Sequence, residues 1–295
     1  TLDNLTLKGG KANAATDMDE KGNGGAIYAH GATVKIINCI LTDNQARNNG
    51  GAVYAVKDGA TVAKVEISNS NINKNTVTVN SGFGGGIFIN DDCILTLAGT
   101  TISENEAARG GGVRANRSTI TMTACIIKEN KATNGSSLDG GGGVYTNRGT
   151  LTMTDNCEIR GNTSHGSAHG GGMIIEGTDV TMKDCTLTGN TAETKGGGVW
   201  LKYGTFKMQG STTVTPDNGT GKNDVYLWDV NAQKDNKITV TGALTHSPAA
   251  RITPNSYHED TVVVEGASAE EANFTVTPNG TELWEIGSNG KLKRK

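Results

Sequence analysis

The sequence predicts an all-β fold: a right-handed parallel β-helix, a solenoid of about seven to nine coils with three short strands per coil, closed by a C-terminal β cap. Three observations predict it. A glycine block followed by an apolar residue recurs, beginning at Gly24, Gly50, Gly84, Gly110, Gly141, Gly170 and Gly196. An asparagine closes six of these units, at Asn44, Asn75, Asn105, Asn130, Asn162 and Asn190. Between the two landmarks, apolar and polar residues alternate with the period of a strand.

The spacing separates frame from loop. Glycine to asparagine spans 20, 25, 21, 20, 21 and 20 residues, whereas asparagine to the next glycine spans 6, 9, 5, 11, 8 and 6. A near-constant stretch that repeats is a coil of the solenoid; a segment of changing length is a loop hung on one edge.

Within the frame, the first strand turns Ile27, Val53, Ile87, Val113, Val144, Met173 and Val199 inward. The second contributes two inward columns, Val34 through Phe206 and Ile36 through Met208, and the third supplies Leu41, Ile72, Ile102, Ile127, Ile159 and Leu187. Each such residue buried between like neighbours is worth about 1.5–3 kcal/mol, so the stack holds where a lone coil would not. The glycines suit a sharp entry from loop to strand. The asparagines suit a turn at which stacked side-chain amides bond to one another and to backbone. Cys39, Cys125, Cys157 and Cys185 fall five residues before their asparagines, where other units carry Ser70 and Thr100. That is a packing column of small residues, and stacked side chains pointing the same way make poor disulfides, so buried thiols are expected.

Composition bounds function. With 42 glycines and 13 aromatics in 295 residues, no large aromatic core forms, and a formal net charge of −3 with mixed signs gives no field for nucleic acid. No run of 18 apolar residues is present to span a membrane as a helix. The chain is divided into a β-helix over 1–222 and a β-rich cap over 223–295, where the glycine block is lost and Ser288, Asn289 and Gly290 read as a hairpin turn; the cap has room for further irregular coils.

The outward position after the first inward residue holds Tyr28, Tyr54, Phe88, Arg114, Tyr145, Ile174 and Trp200. An exposed stripe of this kind marks a binding surface, so Tyr28, Tyr54, Phe88, Arg114, Tyr145 and Trp200 are the candidate ligand-binding residues. The next outward column reads His30, Val56, Asn90, Asn116, Asn147, Glu176 and Lys202, with one carboxylate in it. A lyase or glycoside hydrolase acting in a groove on this face would need clustered or opposed carboxylates. Asp91 and Asp92 are the nearest pair and read as turn formers. Catalytic residues, cofactors and metal ligands are therefore not expected. His165 and His169 read as solvated loop histidines, and Thr96, Thr121, Thr152 and Thr181 as an ordinary exposed strand face.

The segments GGAIYA, GGAVYA and GGGIFI resemble the GGA[IV] repeat, and LTDN, ISEN, IKEN and LTGN the FxxN repeat, of the polymorphic outer-membrane proteins and related bacterial surface β-helix proteins. That resemblance implies an extracellular or cell-surface location. It also implies adhesion to a host or neighbouring-cell surface protein or glycan, with a polysaccharide-active enzyme as the alternative.

Overall fold

The computed structural model describes residues 1–13, 20–133, 139–217, 222–228, 236–259, 261–266 and 273–295. It is a parallel β solenoid in which each strand pairs with its counterpart one coil above and one below. Register follows the repeat: Val113 lies opposite Ile87 and Val144, and Val144 opposite Met173. Leu95, Ile120, Leu151, Val180 and Phe206 form one continuous column, and Leu41, Ile72, Ile102, Ile127, Ile159 and Leu187 another. These side chains are buried and make a single apolar spine.

The asparagine turn is the polar counterpart of that spine. Asn130 Nδ2 donates to Ile102 O at 3.0 Å and to Asn162 Oδ1 at 2.9 Å, while its own Oδ1 accepts from Asn105 N at 3.0 Å and Asn105 Nδ2 at 2.9 Å. Every hydrogen-bonding site of the amide is used, which is the condition for burying it without penalty. The same pattern joins Asn44, Asn75, Asn105, Asn130, Asn162 and Asn190, and continues to Asn223. That seventh rung is missed by sequence reading because its unit, GKNDV, lacks the alternating run before the asparagine.

Corners are made by residues in the left-handed region. Asp43, Lys74, Glu104 and Glu129 precede their ladder asparagines with φ of 55–57°, and Asn38, Asn69, Ala124 and Asp184 precede the small-residue column with φ of 48–55°. The five cysteines are buried and unbridged. The column has a second property besides small size: its γ atom accepts a backbone N–H from the coil before. Cys39 N donates to Ser70 Oγ at 3.0 Å, and Cys125 N to Cys157 Sγ at 3.3 Å.

Each coil also carries a fourth strand of two residues, not three strands alone. Lys11–Ala12, Gln45–Ala46, Thr76–Val77, Glu106–Ala107, Lys131–Ala132, Thr163–Ser164 and Thr191–Ala192 pair in a seven-stranded sheet, all but the first directly after an asparagine corner. Two residues are too few to show a period, so the sequence reads them as loop.

Past residue 222 parallel stacking persists. Val225–Leu227 continues the first strand column, Ile238–Leu244 the second, and Ala250–Pro254 stacks on both Thr213–Val214 and Val225–Leu227 as the coil narrows. The antiparallel hairpin Trp284–Ile286 with Leu292–Arg294 ends the chain, joined through Ser288–Gly290 as the turn residues predict. Trp284 and Leu292 pack into the core, covering apolar cross-section that would otherwise meet water.

Candidate functional site

The aromatic column is in register, as its spacing predicts, with Tyr28 opposite Tyr54, Phe88 opposite Arg114, and Arg114 opposite Tyr145. Its expected exposure is not found. Tyr28 is 38% exposed, but Tyr54 is 7%, Phe88 and Arg114 6%, Tyr145 2% and Trp200 0%. Two physical causes account for the difference.

The first lies in the glycine block. The leading glycines have φ of 63–69°, and a Cβ on Gly141 would sit 2.7 Å from the Tyr145 Cβ; Gly50 and Gly84 meet Tyr54 and Phe88 in the same way. The outward ring four residues on therefore covers the bare glycine, and the constant spacing between them was the available signal. The second cause is the residue just before the block. Asn49, Phe83 and Arg109 bridge coil to coil, as do Asp139 and His169, and of these Phe83 packs on Phe88, Arg109 on Phe83, and His169 on Trp200. These residues fold back over the stripe as a roof. Because they belong to the segment of changing length, alternation along the strand cannot reveal them.

Two stacks result. Tyr28, Tyr54 and Phe88 have centroids 5.4 and 5.3 Å apart, with Phe83 at 5.6 Å from Phe88. Tyr145, Ile174, Trp200 and Tyr226 form a satellite core, with Trp228 packed against it. His169 stands edge-on to Trp200 at 4.4 Å and is 4% exposed, which corrects the solvated reading of this residue. Thr194 Oγ1 donates its proton to Ala168 O at 2.8 Å, so His169 must donate from Nδ1 to Thr194 Oγ1. Burial, and then the nearby Lys195 and Lys202 charges, pull the His169 pKa down to about 4. His165 stays at the surface, 3.1 Å from Glu193.

Beside the second stack, on the same coils, lies a polar knot. Glu176 accepts from Tyr145 OH, from Asn147 Nδ2 at 2.9 Å, from Tyr203 OH at 2.7 Å and from Lys202 Nζ at 2.9 Å. Lys202 also reaches Asp139 at 3.3 Å. Burial opposes the Glu176 charge, but the bonds from Tyr145, Lys202 and Tyr203 outweigh it and hold its pKa below the ordinary glutamate value. Lys202 is not in the column position its spacing suggests. A bulge places Tyr203 opposite Glu176 and leaves Lys202 as the extra residue, which re-aims its ammonium onto the two carboxylates. Asp91 and Asp92 have φ of 56° and 62° in their turn; Asp91 pairs with Arg117, and Asp92 with Lys57 at 2.9 Å.

Asn90, Asn116 and Asn147 form a half-buried row beside the rings, and Asn116 Nδ2 donates to Asn90 Oδ1 at 2.7 Å. Arg114 lies 3.6 Å over the Tyr145 ring and 5.4 Å from the Phe83 centroid, and Arg109 is 5.5 Å from the same Phe83 centroid. Among the described residues no three His, Cys, Asp or Glu side chains converge as a metal site would require.

A family model described as right handed beta helix region matches residues 16–157 and again 77–247. The chain belongs to this right-handed β-helix family. The two overlapping placements, shifted along the chain, are what a repeat with a common frame produces. No curated protein and no solved structure matches the chain.

Proposed function

We propose that this β-helix is a surface-exposed or secreted bacterial binding protein, adhesin-like in the manner of the polymorphic outer-membrane proteins, recognising a host or neighbouring-cell protein or glycan. The observation that carries it is the in-register row Asn90, Asn116 and Asn147, half-buried beside the Tyr28–Tyr54–Phe88 stack. A rigid sheet that holds amide groups next to ring faces, with variable loops along one edge, is suited to recognition. Of the six side chains first assigned to ligand contact, Tyr28 retains the access this role needs; the buried rings of Tyr145 and Trp200 act by supporting the surface.

Polysaccharide cleavage is the rival reading. Asp139 and Glu176 share Lys202 Nζ, so their oxygens lie no more than about 6 Å apart, and paired carboxylates are what a glycosidase needs. A general acid, however, needs a raised pKa, and that of Glu176 is lowered. The test is to screen the protein for binding to glycans and cell-surface extracts while assaying the same glycans for new reducing ends or unsaturated products. Binding without turnover is expected. Turnover lost in Glu176→Gln would replace this reading with the enzymatic one.

A further inference from the structure

Buried charge in this molecule is compensated almost everywhere. Glu176 has Lys202, and Asp224 accepts from Gly197 N at 3.1 Å and from Thr253 Oγ1. Among the described residues Arg109 and Arg114 stand apart; Arg251, whose Nε is also buried without an acceptor, donates through its other nitrogens to Asp217 O and Lys222 O. Arg114 is 6% exposed, yet its side chain makes one hydrogen bond, from Nη1 to Ala115 O at 3.1 Å, and its Nε is buried with no acceptor. The Arg109 Nε is likewise buried and unpartnered. Neither guanidinium forms an ion pair with a described carboxylate: Arg114 feels Glu176 and Asp139 only at longer range, and Arg109 repels it. Both stand against one ring, that of Phe83.

Two guanidiniums with nitrogen–hydrogen groups to spare, converging on one ring, are costly unless an anion completes them. Ring faces satisfy only part of the charge. Glu176 and Asp139 are already engaged by Lys202. Arg114 Nη2 makes no hydrogen bond among the described residues, and Arg109 is half-buried, so the pair is approached from the Arg109 side.

We propose that Arg109 and Arg114, converging on Phe83 with Asn90 and Asn116 alongside, form a subsite for the carboxylate or sulfate group of an anionic sugar. The guanidinium forks take the anionic oxygens, as in arginine–carboxylate pairing. The amide hydrogens of Asn90 and Asn116 left over from the Asn90–Asp91 and Asn116–Asn90 bonds serve ring hydroxyls, while Phe83 backs the two guanidiniums. A long polyanion is disfavoured, because the neighbouring charges are neutralised as Asp91–Arg117 and Asp92–Lys57 pairs and the chain carries a net −3. The inference rests on the glycan arm of the binding function proposed above and narrows it to acidic glycans.

Titration calorimetry on the full chain tests it with four probes: an oligogalacturonate, a sulfated and uronate-free carrageenan oligosaccharide, a neutral cello-oligosaccharide of similar length, and inorganic sulfate. Binding of one or both acidic oligosaccharides is expected, weakening with added salt and at least tenfold weaker in Arg109→Gln. The neutral sugar should not bind, and sulfate alone should bind far more weakly. Which acidic oligosaccharide binds tells carboxylate from sulfate recognition. Arg109→Gln is the primary variant because its half-buried site tolerates change, with an unchanged melting curve as the control; Arg114→Met repeats the test at the buried position. Unaltered acidic-sugar binding in a folded Arg109→Gln protein overturns the proposal. So does equal binding of neutral and acidic sugars, although that result leaves the general binding function standing. Failure of the wild-type chain to bind any glycan, together with failure to bind cell-surface protein extracts, overturns both.

Discussion

Replacing Asn130 by Ala probes the polar spine where it is most committed. The substitution strands two donors of the preceding coil, Asn105 N–H and one Asn105 Nδ2–H, which now donate to Asn130 Oδ1. Each buried donor left without an acceptor costs about 1–3 kcal/mol, so the loss is roughly 2–6 kcal/mol. Asn44→Ala is the internal control. Among the described residues its Oδ1 accepts from Gly10 N alone, so that substitution strands one donor and should cost about half as much. Urea unfolding followed by circular dichroism gives the two costs, and hydrogen exchange at the Asn105 amide reports the local effect if the solenoid unfolds in parts. Asn130→Asp adds a sign. A carboxylate there would face Ile102 O and Asn162 Oδ1 with no proton to donate, so its folded pKa rises above the unfolded value. Stability of that variant is then present at low pH and lost as pH rises through the raised pKa. A cost below about 1 kcal/mol for Asn130→Ala, or equal costs for positions 44 and 130, would refute the ladder argument.

Four further outcomes follow from the same geometry. Gly142→Ala should unfold or severely destabilise the protein, since its Cβ would lie 2.4 Å from Thr163 O and 2.5 Å from Gly171 O, whereas Gly143→Ala should be much milder because Ala52 already fills the matching position of an earlier coil; melting temperatures compare them. Ala124 is exposed with φ of 51°, so Ala124→Gly should raise stability by up to about 1 kcal/mol in denaturant titration, relief of left-handed strain exceeding the added chain entropy. Trp200→Ala removes a fully buried ring and should cost about 3–5 kcal/mol in the same titration, while Tyr28→Ala should cost little. His169 is held neutral, so the unfolded chain takes up a proton first as pH falls: stability should drop between about pH 6.5 and 4, by an amount on the order of 2 kcal/mol, and His169→Phe should flatten that part of the pH profile of the melting temperature.

What could be read from the sequence depended on whether a residue's environment was set by its own strand. Val113, Val144 and Met173 stack as their alternation requires, and Asn105, Asn130 and Asn162 bond as their fixed distance from the glycines requires, because neighbours in these columns are copies of the same position. The stripe was legible in register and illegible in exposure. Alternation tells which face Tyr145 and Trp200 leave by, but Asp139 and His169 return over that face from segments with no constant length. The Lys202 bulge escaped notice for a related reason: one inserted residue shifts Tyr203 opposite Glu176 without disturbing the apolar pattern, which resumes at Phe206. Arg109 carried no motif at all, and its partner Arg114 stood out only as the cation in an aromatic column.

The central claim is vertical registry, and a distance measured in solution tests it most directly. Thr96, Thr121, Thr152, Thr181 and Lys207 occupy one outward column on successive coils. Spin labels attached through Thr96→Cys and Lys207→Cys, with the buried native thiols left unlabelled, should be separated by four coil steps of about 4.8 Å, or roughly 19 Å before allowance for the linkers. A narrow distribution near that value is the expected result. A broad one, or a mean beyond about 35 Å, would contradict the stack and with it the ladder, the roofed stripe and the arginine subsite.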